Sequence, residues 1–202
     1  MGKVISFNGV DGSGKTTQIE LLLERYSEYV ELVNSQGAFS DERISDFNWW
    51  FIESIPEEFL DTLYNCIRKR NEMIEQCSKS IVLLDKGIRN FDARAAATLM
   101  IKGLQEDEAI QMVEDTKYKM NIKNKENTSL FFEIAKSSEE RQKITEERKT
   151  SSLNQKSFDI YSLYQAYQNQ IIYNQILNNE YQVFDASGSI EEVNARLVKT
   201  IF

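Results

Sequence analysis

Apolar residues recur along this chain in two rhythms. Short runs at Lys3–Asn8, Glu31–Asn34, Ile81–Leu84, Leu130–Ile134 and Tyr181–Phe184 have the length and composition of buried strands. Between them apolar positions return every three or four residues. Ile19, Leu22, Leu23 and Tyr26 predict a helix over Thr16–Tyr26. The same spacing predicts helices from Pro56 to about Cys77 and over Phe91–Leu104, Asp107–Met120, Phe158–Leu177 and Ser189–Ile201. Pro56, followed by Glu57 and Glu58, suits a first helical turn. Ser189 with Glu192 fits a capping box. Ser35–Asp46, with Gly37, Ser40 and Asp41, reads as loop. The stripe Phe158, Tyr161, Tyr164 and Tyr167 reads as core or subunit interface.

Strands that alternate with helices pair in parallel through right-handed crossovers, which predicts a three-layer α/β sandwich. At 202 residues the chain is expected to form one domain, 1–202, with a small mobile subregion. It has no repeat or low-complexity linker, and its single proline argues against an interdomain hinge. The charged run Ser138–Thr150 reads as a solvated helix face.

Composition narrows the chemistry. The chain has no histidine, which excludes Ser-His-Asp and Cys-His catalysis and histidine-ligated zinc. Its 24 basic and 32 acidic side chains give a net charge of −8, which argues against nucleic acid or an anionic membrane as partner. Cys66 and Cys77 are too few for a disulfide framework and fit a reducing compartment. No signal-peptide pattern and no apolar run long enough to span a membrane is present, so a cytoplasmic location is expected. Met1-Gly2 with Ser6 matches a myristoylation pattern, but Val4–Phe7 reads as a core strand.

The most specific signal follows the first strand. Gly9-Val10-Asp11-Gly12-Ser13-Gly14-Lys15-Thr16 fits G-x-x-x-x-G-K-[ST] without a mismatch, between an apolar strand and a helix. Glycines there permit backbone angles and close approaches that a Cβ would block. The loop amides and the positive end of the next helix suit the phosphates of a nucleoside triphosphate. Lys15 supplies charge for the β- and γ-phosphates, and the Thr16 hydroxyl suits Mg²⁺. Asp85, at a strand end, is the second candidate on the metal side. A GTPase would carry Asn-Lys-x-Asp after a late strand. Here Ile134 is followed by Ala135-Lys136-Ser137-Ser138, which favours a small-molecule kinase.

The run Val10-Asp11-Gly12-Ser13-Gly14-Lys15-Thr16-Thr17-Gln18 resembles the thymidylate kinase family of P-loop nucleoside monophosphate kinases. Leu63-Tyr64-Asn65-Cys66-Ile67-Arg68 is similar to that family's aromatic-x-x-x-Arg helix, and Asp85-Lys86 stands in the place of its Asp-Arg. Phe158-Asp159, with the tyrosines after it, resembles the helix that follows the lid. Phe184-Asp185-Ala186 with Ile190-Glu191-Glu192-Val193 resembles the last strand, adenine loop and helix. The resemblance implies a P-loop kinase fold with a parallel five-stranded sheet and a small helical lid at about 136–156. It also implies a homodimer and phosphoryl transfer from MgATP to dTMP. By that resemblance Gly9, Asp11, Gly12, Ser13, Gly14, Lys15, Thr16 and Thr17 hold the ATP phosphates, and Thr16 and Asp85 face Mg²⁺. Asp11 would also contact the acceptor sugar, Tyr64 would stack on its base, and Arg68, Lys86 and Arg89 would hold its phosphate. Apart from the resemblance, Asp11 reads as a polar loop residue, Tyr64 equally as a core residue and Arg68 as a solvated one. Arg141 or Arg148, from the lid, would join Lys15 and Asp85 as catalytic residues.

Three segments depart from the family pattern. Asn34–Phe39 lacks the arginine and proline of its Arg-x-Pro-Gly-like element, and Lys86 replaces an arginine, losing the bidentate fork. Ser151-Ser152-Leu153-Asn154 stands where Asp-Arg is common. These departures leave two other readings open. One is a kinase of the same fold for another nucleotide, nucleoside or metabolite. The other is a nucleotide-binding protein with little transfer activity.

Overall fold

In the computed structural model, which describes residues 2–9, 13–33, 38–39, 41–133 and 155–202, five strands form one all-parallel sheet. They are β1 (Lys3–Asn8), β2 (Val30–Val33), β3 (Ile81–Asp85), β4 (Thr128–Glu133) and β5 (Gln182–Asp185), in the order β2-β3-β1-β4-β5. Six α-helices accompany them among the described residues: α1 (Lys15–Tyr26), α2 (Pro56–Gln76), α3 (Ile88–Ile101), α4 (Glu106–Lys119), α5 (Gln155–Leu177) and α6 (Ile190–Ile201). The predicted sandwich and its five parallel strands are therefore present.

Alternation along β1 explains how both sheet faces are covered. Ile5 and Phe7 point to one face, where they join Leu83, Leu130, Phe132 and Phe184 under α1 and α6. Val4 points to the other, where it meets Val82, Leu84 and Ile74 of α2. Beyond that face lies a larger aromatic core shared by α2, α3, α4 and α5, with Phe59, Tyr64, Phe91 and Tyr164 among its members. Ser6 and Asn8, fully buried, alternate with Phe7 and break the apolar run on the face they share with Val4.

Two local features differ from the sequence reading. Helix α3 begins at Ile88, not Phe91, because Gly87 caps it and the Glu126 carboxylate takes the Ile88 amide. A π-turn at Trp49–Glu53 fills a stretch to which the apolar pattern assigned no element. Its Trp49 and Trp50 are buried, and Trp50 Nε1 donates to Thr98 Oγ1 at 2.8 Å. The capping box at the start of α6 forms as read, with the Ser189 amide donating to Glu192 Oε2 at 2.8 Å. Of the aromatic stripe on α5, Tyr164 is buried in the core, while Phe158, Tyr161 and Tyr167 are half-buried. Both cysteines are free thiols. No described helix is long and apolar enough to cross a membrane.

Candidate functional site

The glycine-rich loop springs from the carboxyl end of the central strand. At Gly9 the backbone turns with φ 139°, and a Cβ there would lie 2.8 Å from the Phe132 carbonyl oxygen. Gly14 adopts φ 84° as the residue before α1, a left-handed angle that glycine takes without strain. The chain then enters the helix at Lys15, and Gln18 N donates to Gly14 O at 3.1 Å. The Lys15 ammonium folds back across the loop. Its Nζ lies 3.0 Å from Gly9 O and 3.0 Å from Ser13 Oγ, and the residue is buried. Thr16 and Thr17 are exposed on the first turn. A helix N-terminus, an ammonium and a hydroxyl thus converge, the chemistry an oxyanion tail requires. Val10, Asp11 and Gly12 lie outside the described residues, as do Arg141, Arg148 and most of the expected lid.

The neighbouring strand brings the second part. Register pairs Phe7 with Asp85, so Asp85 stands beside the end of β1. Lys86 follows with φ 79°, a left-handed angle uncommon for a side chain with a Cβ. Its backbone is held on both sides: Lys86 N donates to Phe7 O at 3.0 Å, and Arg70 Nη1 donates to Lys86 O at 3.0 Å. The Gly87 amide donates to Asn8 Oδ1 at 2.8 Å. Thr16 and Asp85 are hard-oxygen donors of the kind Mg²⁺ accepts. Among the described residues no group of three histidine, cysteine or acidic side chains gathers to hold a metal. That donor set fits a cation that arrives with phosphates and waters, not one caged by protein.

On the other side of α1 lies the loop after β5. Ala186 N donates to Glu133 O at 2.8 Å, and Gln18 Nε2 donates to Ile190 O at 3.0 Å. Asn194 Nδ2 donates to Gln18 Oε1 at 3.0 Å, tying α6 to α1. The Ser187 amide holds the exposed Asp185 carboxyl below its ordinary range.

The expected acceptor residues are placed differently. Tyr64 has no exposed surface. Its hydroxyl donates to Asp92 Oδ1 at 2.7 Å, and burial pushes the phenol well above its usual range. The ring is a core element and presents no face to a base. Arg68 is exposed and donates to Asn65 Oδ1 of its own helix at 2.8 Å. Arg89 pairs with Glu180, which precedes the start of β5. The structure therefore brings Gly9, Ser13, Gly14, Lys15, Asp85 and Lys86 together, with Thr16 and Thr17 on the adjoining turn. Tyr64 is enclosed in the core, Arg68 bonds to Asn65 and Arg89 to Glu180. The sequence reading also passed over Arg70, two residues beyond Arg68 and buried behind the Lys86 turn. A cue for it lay in β1, whose polar Ser6 and Asn8 sit at strand positions that otherwise call for apolar side chains.

No family model matches the sequence, and no curated protein matches it. Solved structures do. The thymidylate kinase from Candida albicans aligns with a TM-score of 0.70 at 17% identity, over 99% of this chain and 91% of that one. The thymidylate kinase from Ehrlichia chaffeensis aligns at 0.59 and 18% identity, over 98% and 97%. The deoxyadenosine kinase from M. mycoides, solved with bound dCTP, aligns at 0.60 and 10% identity, over 98% and 97%. The chain has the P-loop kinase fold of these structures across nearly its whole length.

Proposed function

We propose that this chain is an ATP-dependent kinase that transfers the γ-phosphoryl of ATP, bound with Mg²⁺, to the phosphate of a small nucleotide, dTMP first among the acceptors. The observation that carries the reading is the Lys15 ammonium, 3.0 Å from Gly9 O within a glycine-turned loop that ends at a helix N-terminus. The motif, its strand-loop-helix setting and the kinase fold of the neighbours support it together.

Phosphoryl transfer needs donor and acceptor held in line, their charge neutralised and water excluded. In this reading the amides of Gly12 to Thr17 and the Lys15 ammonium bind the donor phosphates. Asp11 contacts the acceptor sugar. Thr16 and Asp85 would hold Mg²⁺, which would supply charge neutralisation to the donor phosphates. Lys86, at the turn beside the loop, faces the acceptor phosphate. Arg141 or Arg148 closes over the transferring group from the lid. The reading carries with it a homodimer in the cytoplasm, as the resemblance implies.

One observation favours a second acceptor. Tyr64 is enclosed and bonded to Asp92, and Arg68 is turned to solvent, so the pair expected to read a thymine is not assembled. A kinase of the same fold for another nucleotide, a nucleoside or a related metabolite accommodates this. A panel of nucleosides and nucleoside monophosphates, assayed with ATP by acceptor-dependent ADP release, tests both. Fastest turnover on dTMP supports the first reading. Fastest turnover on another compound replaces it with the second, and ATP binding with no acceptor-dependent release refutes both.

A further inference from the structure

Behind the Asp85-Lys86-Gly87 turn lies a buried polar cluster that the phosphate loop itself does not require. Its centre is Glu126, two residues before β4, whose side chain is 2% exposed. Glu126 Oε2 accepts from Ser6 Oγ at 2.6 Å, and Oε1 accepts from the Ile88 amide, the first residue of α3. Arg70 stands 3.8 Å away as its counter-charge, 3% exposed, and also donates to Lys86 O. Asn8, the last residue of β1, completes the cluster. Its Nδ2 donates to Ser6 Oγ at 3.0 Å, to Ser129 Oγ at 3.0 Å and to Leu130 O at 3.2 Å, while Oδ1 takes the Gly87 amide. Gly87 has no Cβ, and one there would fall 2.3 Å from Glu126 Oε2. Three consecutive backbone amides are thus each assigned a partner: Lys86 to Phe7, Gly87 to Asn8 and Ile88 to Glu126.

A buried ion pair is poor value as a stabiliser, since desolvation offsets much of the attraction. A left-handed lysine also persists only where its surroundings over-determine it. Both features find a common reason if the cluster fixes the strand end beside the phosphate loop. We propose that Glu126, with Arg70 and Asn8, is a positioning centre that holds Asp85 and Lys86 at the phosphate site. This rests on the functional reading above. Glu126 acts through the turn and touches neither nucleotide nor metal.

The test compares ATP affinity with and without Mg²⁺, by calorimetry, in the wild-type chain, Glu126→Ala, Asp85→Asn and the double variant. Glu126→Ala is expected to keep metal-free ATP affinity within twofold and to lose at least fivefold of the gain that Mg²⁺ brings. In the Asp85→Asn background it is expected to cost nothing more, because residues acting as one unit are not additive. Where leaving Arg70 unpaired prevents folding, judged by circular dichroism and a cooperative melt, Arg70→Met with Glu126→Leu removes both charges and is read the same way. A folded variant that keeps the Mg²⁺ gain within twofold overturns the proposal, as does an equal loss in both backgrounds. A wild-type chain that binds no ATP removes the functional reading and the proposal together. One that binds ATP with a Mg²⁺ gain unaffected by the Glu126 change removes the proposal alone.

Discussion

Asn8 and Gly87 are joined by a hydrogen bond of 2.8 Å between the asparagine Oδ1 and the glycine amide. The bond links the root of the phosphate loop on β1 to the turn that leaves β3. It ties the two halves of the candidate site together, and it sets what substitutions there should do.

Gly87→Ala places a methyl 2.3 Å from Glu126 Oε2 and 2.5 Å from Ser6 Oγ. The backbone angle at Gly87, φ −88°, is one alanine adopts, so the penalty comes from crowding alone. Overpacking of a filled interior costs about 1–3 kcal/mol. Urea unfolding should show a lower midpoint at an unchanged slope, the product of slope and midpoint shift giving that amount. An unshifted midpoint would mean that the carboxylate yields freely.

Trp50 sits edge-on to Phe59 with ring centroids 4.7 Å apart and donates to Thr98. Trp50→Ala removes a buried aromatic from the core between α2, α3 and α5, at a cost of about 3–5 kcal/mol. Chemical denaturation should register that loss. A loss under about 1 kcal/mol would show that the π-turn is a surface ornament and not a core element.

Asp92 accepts from Tyr64 Oη and from Lys117 Nζ, both at 2.7 Å. Burial raises its carboxyl above the ordinary range, against the opposing pull of Lys117. The sign follows from proton counting. An unfolded aspartate releases its proton near pH 3.9, about the model-peptide value, while the folded one holds it to higher pH. Between those limits the native state binds more protons, so stability falls as pH rises through the window. Carboxyls held below their usual range, such as Asp185, act in the opposite sense, so the effect is read as a difference: melted side by side from pH 4 upward, the wild-type chain should lose stability relative to Asp92→Asn through the window. A pH dependence identical in the two chains would assign the effect to other groups.

The parts of the fold and site that depend on neighbours in the chain were legible in the sequence. Val4–Phe7 announced its strand by composition. Gly9, Gly14 and Lys15 announced the loop because their spacing is its mechanism. The acceptor side was not legible in this way, since it depends on which face of α2 meets the core. The sequence left Tyr64 open between a base-stacking ring and a core residue and Arg68 between a phosphate ligand and a solvated one; Tyr64 is enclosed by the aromatic core and Arg68 lies at the solvent edge of the same helix. The cluster around Glu126 was hidden for another reason. Ser6, Arg70 and Glu126 come from three distant segments, and a lone arginine in a charged helix reads as surface until the fold buries it. Trp49 and Trp50 fell in an apolar run too short to separate helix from strand by period.

The central claim is that the loop from Gly9 to Thr16 binds the phosphates of ATP, with Lys15 supplying charge. Calorimetric titration of MgATP into the wild-type chain and into Lys15→Ala tests it most directly. A hydrogen bond to a charged group is worth about 1.5–3 kcal/mol, so removing the ammonium should weaken binding by about tenfold or more. Equal affinity in the two chains, or no binding by the wild type, would contradict the account.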